Sequence, residues 1–411
     1  MRSGASFSLA QAAGDHDRAV ASIRATIEVG RAESSTLLTP AHLTSMIMRL
    51  ATPIILLIAL STSAATAQPR IRVSEPSCES CGIAVAKLFT IGGLDDRSNM
   101  SRPNTAAMNS RGELLVSYPD SRGQFFVYGP DGTFRRAVGR RGAGPGEFNL
   151  IRHIRVGRGD TIHIADLALR RSILAPDFRF VRSTSYPLNT DDFELIAGDT
   201  VLIAAIVNTR AATGFPLHKF ADAQEIFSFG VDKPVAYPPD QSEVLRRVIT
   251  VDDQGSLWAA SVSSYTIQQF DRSGKLLRTL YREPDWFKPH AAPFRVLQDQ
   301  PPSPRITDVR IDGDGLVWVM LRVADPDWKE AVVPGPANGR QRLLGLKSEA
   351  GYYDTLIEVI DPQSAKTIAS MRVPDYMKLF IGDRESYSYG EDGDGLPYID
   401  VWRLSRVVEQ R

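Results

Sequence analysis

Beyond residue 100 the chain is a succession of short apolar runs separated by polar turns, and the runs recur in a fixed order. The clearest unit is 139–166, GRRGAGPGEFNLIRHIRVGRGDTIHIAD. A Gly/Pro-rich loop leads into an alternating apolar run, a turn at Gly159-Asp160, and a second run ending in Ala165-Asp166. Two strands joined by a tight turn cannot bury their own faces, so such a unit must stack on others. Second runs of the same kind read GELLVSY (112–118), DTIHIAD (160–166), DTVLIAA (199–205), GSLWAAS (255–261), GLVWVML (315–321) and, most weakly, ESYSYGE (385–391). The turns before them carry Gly with Asp, Ser or Asn, and Gly255 and Gly315 follow Gln254 and Asp314; both styles supply hairpin geometry. A second hairpin follows in five units, at 126–139, 173–186, 218–230, 267–280 and 357–371. No sustained helical periodicity intervenes, which argues against an α/β fold.

Four strands in each of five units leave the sixth, ending in YIDVWRLSRVV (398–408), one strand short. A lone strand, AVAKLFTIGG (84–93), stands upstream and resembles the fourth strands of the other units. Placing it beside 398–408 completes the last unit and removes an exposed sheet edge. The spacing suits propeller blades of about 40 to 50 residues with insertions. The sequence therefore predicts an all-β fold: a six-bladed β-propeller over 84–408, closed by an N-terminal strand.

The stretch 139–166 resembles the NHL-repeat family of six-bladed β-propellers. Gly144, Gly146, Phe148, Ile154, Val156, Ile162, Ile164, Ala165 and Asp166 carry the pattern, with Ile151 where that family often has Pro. The likeness extends to the units near Gly112, Gly255 and Gly315 and fades near Gly198 and Gly382. It implies a ring with a central channel. It implies no particular activity, because propellers host binding modules and enzymes alike.

Ahead of the ring, MRLATPIILLIALSTSAATA (48–67) has a basic start at Arg49, an apolar core and an Ala65-Thr66-Ala67 cleavage site. That is the form of an export signal, and its core falls short of the roughly 20 apolar residues of a membrane span. Residues 1–47 show no globular pattern and read as a disordered, non-native extension, with Met48 the expected start. Residues 68–83 form a short segment holding the only cysteines, Cys78 and Cys81, in CESC. In an exported chain an even pair points to a disulfide, while zinc would need two further ligands. The expected location is periplasmic or extracellular, with membrane attachment only if the signal stays uncleaved. Forty-eight basic residues balance 48 acidic ones, so no global charge invites nucleic acid.

Strand order decides where a site would be. Turns within the first and third hairpin positions are tight, whereas the long segments 139–148, 208–216, 231–243, 281–303 and 323–354 all emerge on the opposite rim. Long loops on one rim of a rigid scaffold are where recognition concentrates. Register along the inner strands places Arg152, His153, Asp192, Arg247 and Asp308 at the channel mouth, a set suited to a small polar or anionic ligand. Trp286, Phe287, His290 and Trp328 sit on the long loops as candidate partner contacts. No catalytic residue and no metal ligand set is predicted. DGDG at 312–315 and 392–395 lacks the spacing of a calcium loop and reads as turn chemistry. The Arg-rich stretch 97–182 reads as a solvated face, with an acidic glycan, lipid headgroup or protein as alternative partners.

The expectation is a monomeric, cofactor-free binding module recognising a protein or small polar ligand through its long-loop face. The alternative is a lactonase-like metal-dependent hydrolase or lyase, with calcium or zinc at the channel mouth through Asp192, Asp308 and His153. A scaffold in an envelope complex is the third reading.

Overall fold

The second strand of most units is apolar at nearly every position because it is covered on both sides. The computed structural model describes residues 69–407 apart from 78–81, 94–99, 187–189, 206–213, 234–238, 294, 297–298 and 339–340. The export signal, the residues before it and both cysteines lie outside the described residues. Two strands precede the repeats, β1 (Arg70–Arg72) and β2 (Ile83–Gly92). Blade 1 comprises β3 (Thr105–Met108), β4 (Leu114–Ser117), β5 (Gln124–Tyr128) and β6 (Phe134–Gly139). Blade 2 comprises β7 (Ile151–Val156), β8 (Ile162–Asp166), β9 (Arg170–Leu174) and β10 (Phe180–Ser185). Blade 3 comprises β11 (Asp192–Ala197), β12 (Thr200–Ala204), β13 (Leu217–Ala221) and β14 (Gln224–Phe229). Blade 4 comprises β15 (Arg247–Val251), β16 (Leu257–Ser261), β17 (Thr266–Phe270) and β18 (Leu276–Tyr281).

Blade 5 begins with β19 (Arg305–Ile311) and β20 (Val317–Ala324), then inserts a hairpin of β21 (Val332–Asn338) and β22 (Gln341–Leu346). It ends with β23 (Tyr353–Asp361) and β24 (Lys366–Val373). Blade 6 has β25 (Met377–Phe380), β26 (Glu385–Glu391) and β27 (Pro397–Arg406), and its fourth strand is β2. The pairing is antiparallel, with Val85 opposite Leu404, Lys87 opposite Trp402, Ile91 opposite Ile399 and Gly92 opposite Tyr398. Each blade is thus a four-stranded antiparallel sheet, and blade 4 gains β1 as a parallel fifth strand on its outer edge.

The first strands of successive blades stand side by side around the axis. Between blades 6 and 1, Met108 N–H donates to Ile381 O at 2.6 Å, which closes the circle. Six apolar clusters fill the six seams. Strand alternation sends Trp318 and Met320 toward blade 6, while Val317, Val319 and Leu321 face blade 4. Strands buried on both faces read as continuous hydrophobic runs, and here that holds best for the second strands of blades 1, 3, 4 and 5, while blade 6 has ESYSYGE instead.

A recurrent turn locks two of these strands. Asp252 Oδ1 accepts Ser256 N–H at 2.8 Å while Oδ2 accepts Trp258 Nε1–H at 3.0 Å. Asp312 repeats this with Leu316 N–H at 3.0 Å and Trp318 Nε1–H at 2.9 Å. The DGDG runs are therefore turn-capping aspartates: Asp392 Oδ1 likewise accepts Asp394 and Leu396 N–H at 3.0 and 2.9 Å.

Connections on the rim opposite the long loops are uniformly short, none exceeding five residues. The longest segments, 205–216, 230–246, 282–304 and 325–352, all leave the other rim. Among the described residues no helix is long and apolar enough to cross a membrane.

Candidate functional site at the channel mouth

On the long-loop rim the axis opens into a cavity of about 330 Å³. Its wall includes Arg152, His153, Asp192 and Asp308, together with Asn104, Thr105, Arg155, Asp191, Val248, Thr307, Lys378 and Leu379. Four of the five residues expected at the mouth are there. The fifth, Arg247, is not. In blade 4 the inward position belongs to Val248, and a strand's alternation turns Arg247 outward. Its guanidinium donates to Val244 O at 2.7 Å and Arg246 O at 3.0 Å. Arg247 instead borders a separate cleft, shared with His290.

The two acids are tied into the ring. Asp192 Oδ2 accepts Ile249 N–H at 3.1 Å, and Asp308 Oδ2 accepts Phe380 N–H at 2.8 Å, each from the next blade. Thr105 Oγ1 does the same for Ile154 N–H at 3.3 Å. Blades 1, 3 and 5 thus each clamp the inner strand of their successor. The first oxygens are occupied too, by Phe193 N–H on Asp192 and Val309 N–H on Asp308, both at 2.8 Å.

Below the mouth a buried ion network closes the channel. Arg155 Nη2 donates to Asp192 Oδ1 at 2.6 Å and its Nε to Glu194 Oε2 at 3.3 Å. Arg310 Nη1 donates to the same Glu194 oxygen at 2.9 Å. Arg155 also borders a second cavity of about 510 Å³ on the tight-turn side, so the network lies between the two. Burial would raise Glu194, yet Arg310 and Arg155 prevail and hold it below its ordinary range. Burial pushes Asp192 up to about 7 against the pull of Arg155, and raises Asp308 as well. Burial, reinforced by Arg155, takes His153 down to about 3, so its imidazole is neutral at physiological pH.

Arg152 and Lys378 bring positive charge to the mouth, with Asp191 in electrostatic reach of Arg152 and Glu349 of Lys378. Arg152 is exposed and makes no hydrogen bond or ion pair among the described residues. Among the described residues Lys378 Nζ donates to Pro103 O and Asn104 O, each at 3.2 Å. Asp191 is already engaged by Arg246 at 3.3 Å. A guanidinium and an ammonium over a floor of satisfied ion pairs can take up an anion, and the guanidinium can do so through two parallel hydrogen bonds.

The donor set suits a metal poorly. Asp192 and Asp308 spend their oxygens on backbone N–H groups, and among the described residues no cluster of three or more His, Cys, Asp or Glu could hold an ion.

The loop aromatics are mostly packed. Phe287 is 2% exposed against Tyr265, their ring centroids 5.8 Å apart. Trp328 is 8% exposed in a small cluster with Tyr352 and Tyr353 beneath the inserted hairpin. Both rings act as apolar plugs that anchor the long segments carrying them. Trp286 alone keeps a substantial exposed face, 41%.

Arg155, Glu194, Arg310 and Lys378 were not foreseen from sequence. The first three lie two positions beyond His153, Asp192 and Asp308, so following the strand period one step further would have found them. Lys378 sits on β25, whose four residues carry too little pattern to mark an inner strand.

Residues 110–199 match a protein family described as "6-bladed beta-propeller". No curated protein matches the sequence. Among solved structures, a Bacteroides fragilis protein described as exported is similar with a TM-score of 0.54 and 11% identity, covering 82% of this chain and 100% of that one. A Bacteroides vulgatus protein of the duf4221 family has a TM-score of 0.52 and 8% identity, covering 80% of this chain and all of its own. At such identities the likeness is one of fold. Six four-stranded blades, a ring closed by the N-terminal strand and a matched segment running from blade 1 through blade 2 into blade 3 agree: the chain is a six-bladed β-propeller.

Proposed function

We propose that this protein is an exported, non-catalytic binding module whose long-loop face takes a small anionic solute at the channel mouth. One observation carries the reading: Arg152, exposed and without a hydrogen bond or ion pair among the described residues, and Lys378, bonded to backbone oxygens, flank the same cavity. Their electrostatic partners Asp191 and Glu349 are ion-paired directly to Arg246 and Arg102, so the two cations can bond an anion in the cavity. Export rests on the signal-like segment 48–67 and accords with the described location of one structural neighbour. The hydrolase or lyase alternative loses its support because its candidate acids act as inter-blade clamps. Isothermal titration of the full chain with sulfate, phosphate and succinate tests the proposal. The expected result is saturable binding that weakens with added sodium chloride and falls about tenfold or more in Arg152→Ala. No binding of any of the three anions, or binding indifferent to Arg152, overturns it.

A further inference from the structure

A second depression adjoins the mouth on the same rim. It encloses about 600 Å³ between blade 6 and the end of the blade 5 insertion, and four tyrosines line it: Tyr376, Tyr387, Tyr389 and Tyr398. Tyr387 is 2% exposed, yet its hydroxyl has no hydrogen-bond partner among the described residues. A buried hydroxyl left unsatisfied is costly unless something supplies the missing bond. Glycine at 390 leaves Tyr398 its place, since a Cβ there would meet Tyr398 Cζ and Oη at 2.5 Å. Of the three acids of the cleft, Glu349 pairs with Arg102 at 2.7 Å, Glu391 accepts from Tyr389 Oη at 3.1 Å, and Asp392 Oδ1 accepts Asp394 and Leu396 N–H.

The two depressions are joined. Lys378 borders both, and the partition beside it is the pair Pro103-Asn104, one residue facing each side. We propose that mouth and cleft form one extended site for an acidic saccharide, its carboxylate held by Lys378 and Arg152 and its sugar ring lodged among the tyrosines with a hydroxyl bonded to Tyr387 Oη. Tyrosine offers an apolar ring face beside a polar tip, which matches the alternating C–H and O–H character of a pyranose. The cleft volume falls within the usual range of small-ligand sites, about 300–1,000 Å³. The proposal rests on the anion site proposed above and adds the class of ligand.

The test is titration of the full chain with digalacturonate, cellobiouronate and a hyaluronan disaccharide, alongside sulfate and neutral cellobiose. At least one uronate is expected to bind tenfold or more tighter than sulfate, and cellobiose weakly or not at all. Tyr387→Phe removes only an oxygen that bonds nothing among the described residues. It should leave thermal unfolding and sulfate affinity unchanged while weakening the uronate about three- to tenfold. Lys378→Met should weaken both ligands. If sulfate binds through Arg152 but no uronate binds tighter, or Tyr387→Phe leaves uronate affinity intact, the saccharide proposal fails and the anion site stands. If sulfate does not bind either, both fail.

Discussion

Asp308 illustrates how much one channel residue can be asked to do. Its two oxygens receive Val309 and Phe380 N–H, the second across a blade seam, so Asp308→Ala orphans two buried donors at once. Each orphan costs on the order of 1–3 kcal/mol, and the expected loss is roughly 2–5 kcal/mol, read from the urea midpoint. Asp308→Asn retains an acceptor and should lose clearly less. Equal losses would show that charge, not the clamp, is what matters. The neighbouring titrations act in opposite directions. Asp192, at about 7 folded and ordinarily 3.8, holds a proton that the unfolded chain has released, so its contribution falls as pH rises between about 4 and 7. His153, at about 3 folded and ordinarily 6.5, is neutral where the unfolded chain is protonated, so its contribution grows as pH rises between about 3 and 6.5. Stability measured from pH 4 to 6.5 should therefore rise more steeply with pH in Asp192→Asn than in the parent, and less steeply in His153→Gln. Parallel profiles for the parent and both variants would refute the assignment. At this scale the mouth positions of blades 2, 3 and 5 were legible in the sequence even though each inner strand carries a register shift. Reading the sequence misplaced Arg247 by one residue: the inward position is Val248, seven residues before Gly255, the same offset as Thr105 from Gly112 and Asp308 from Gly315.

The closing strand is the element on which the rest depends. β2 spends its buried side chains, Ile83 and Ile91, in the seams on either side of blade 6. At its end Gly92 has φ +120°, and a Cβ there would run into Pro397 O and lie 2.8 Å from Tyr398 Cα. Gly92→Ala should thus destabilise the protein by about 1–3 kcal/mol in equilibrium unfolding. Gly93→Ala should cost less: its φ of +91° is also positive, but a Cβ there meets nothing within 4 Å. Equal effects would mean that close approach to β27 is not what selects glycine at 92. The strand was legible from sequence because a lone apolar run and a blade short of one strand point to each other. β1 was not: three residues, RIR, have no periodicity to read, and their pairing with β18 is known only from the structure.

At the scale of the molecule, topology assigns the labour of the two rims. Tight hairpins occupy one, and every long segment the other, so the mouth and the tyrosine cleft are framed by the parts of the chain least constrained by packing. Strand order alone revealed that division. It could not reveal the cleft, whose wall is drawn from β25, β26, β27, the insertion and the approach to blade 1, segments brought together only by closure of the ring. The most direct measurement is the location of a bound anion in crystals of the mature protein soaked in selenate. The account predicts an anomalous-scattering peak at the channel mouth within hydrogen-bonding reach of Arg152 and Lys378, absent from crystals of Arg152→Ala. Selenate found only elsewhere on the surface, with the mouth free of it at saturating concentration, would contradict it.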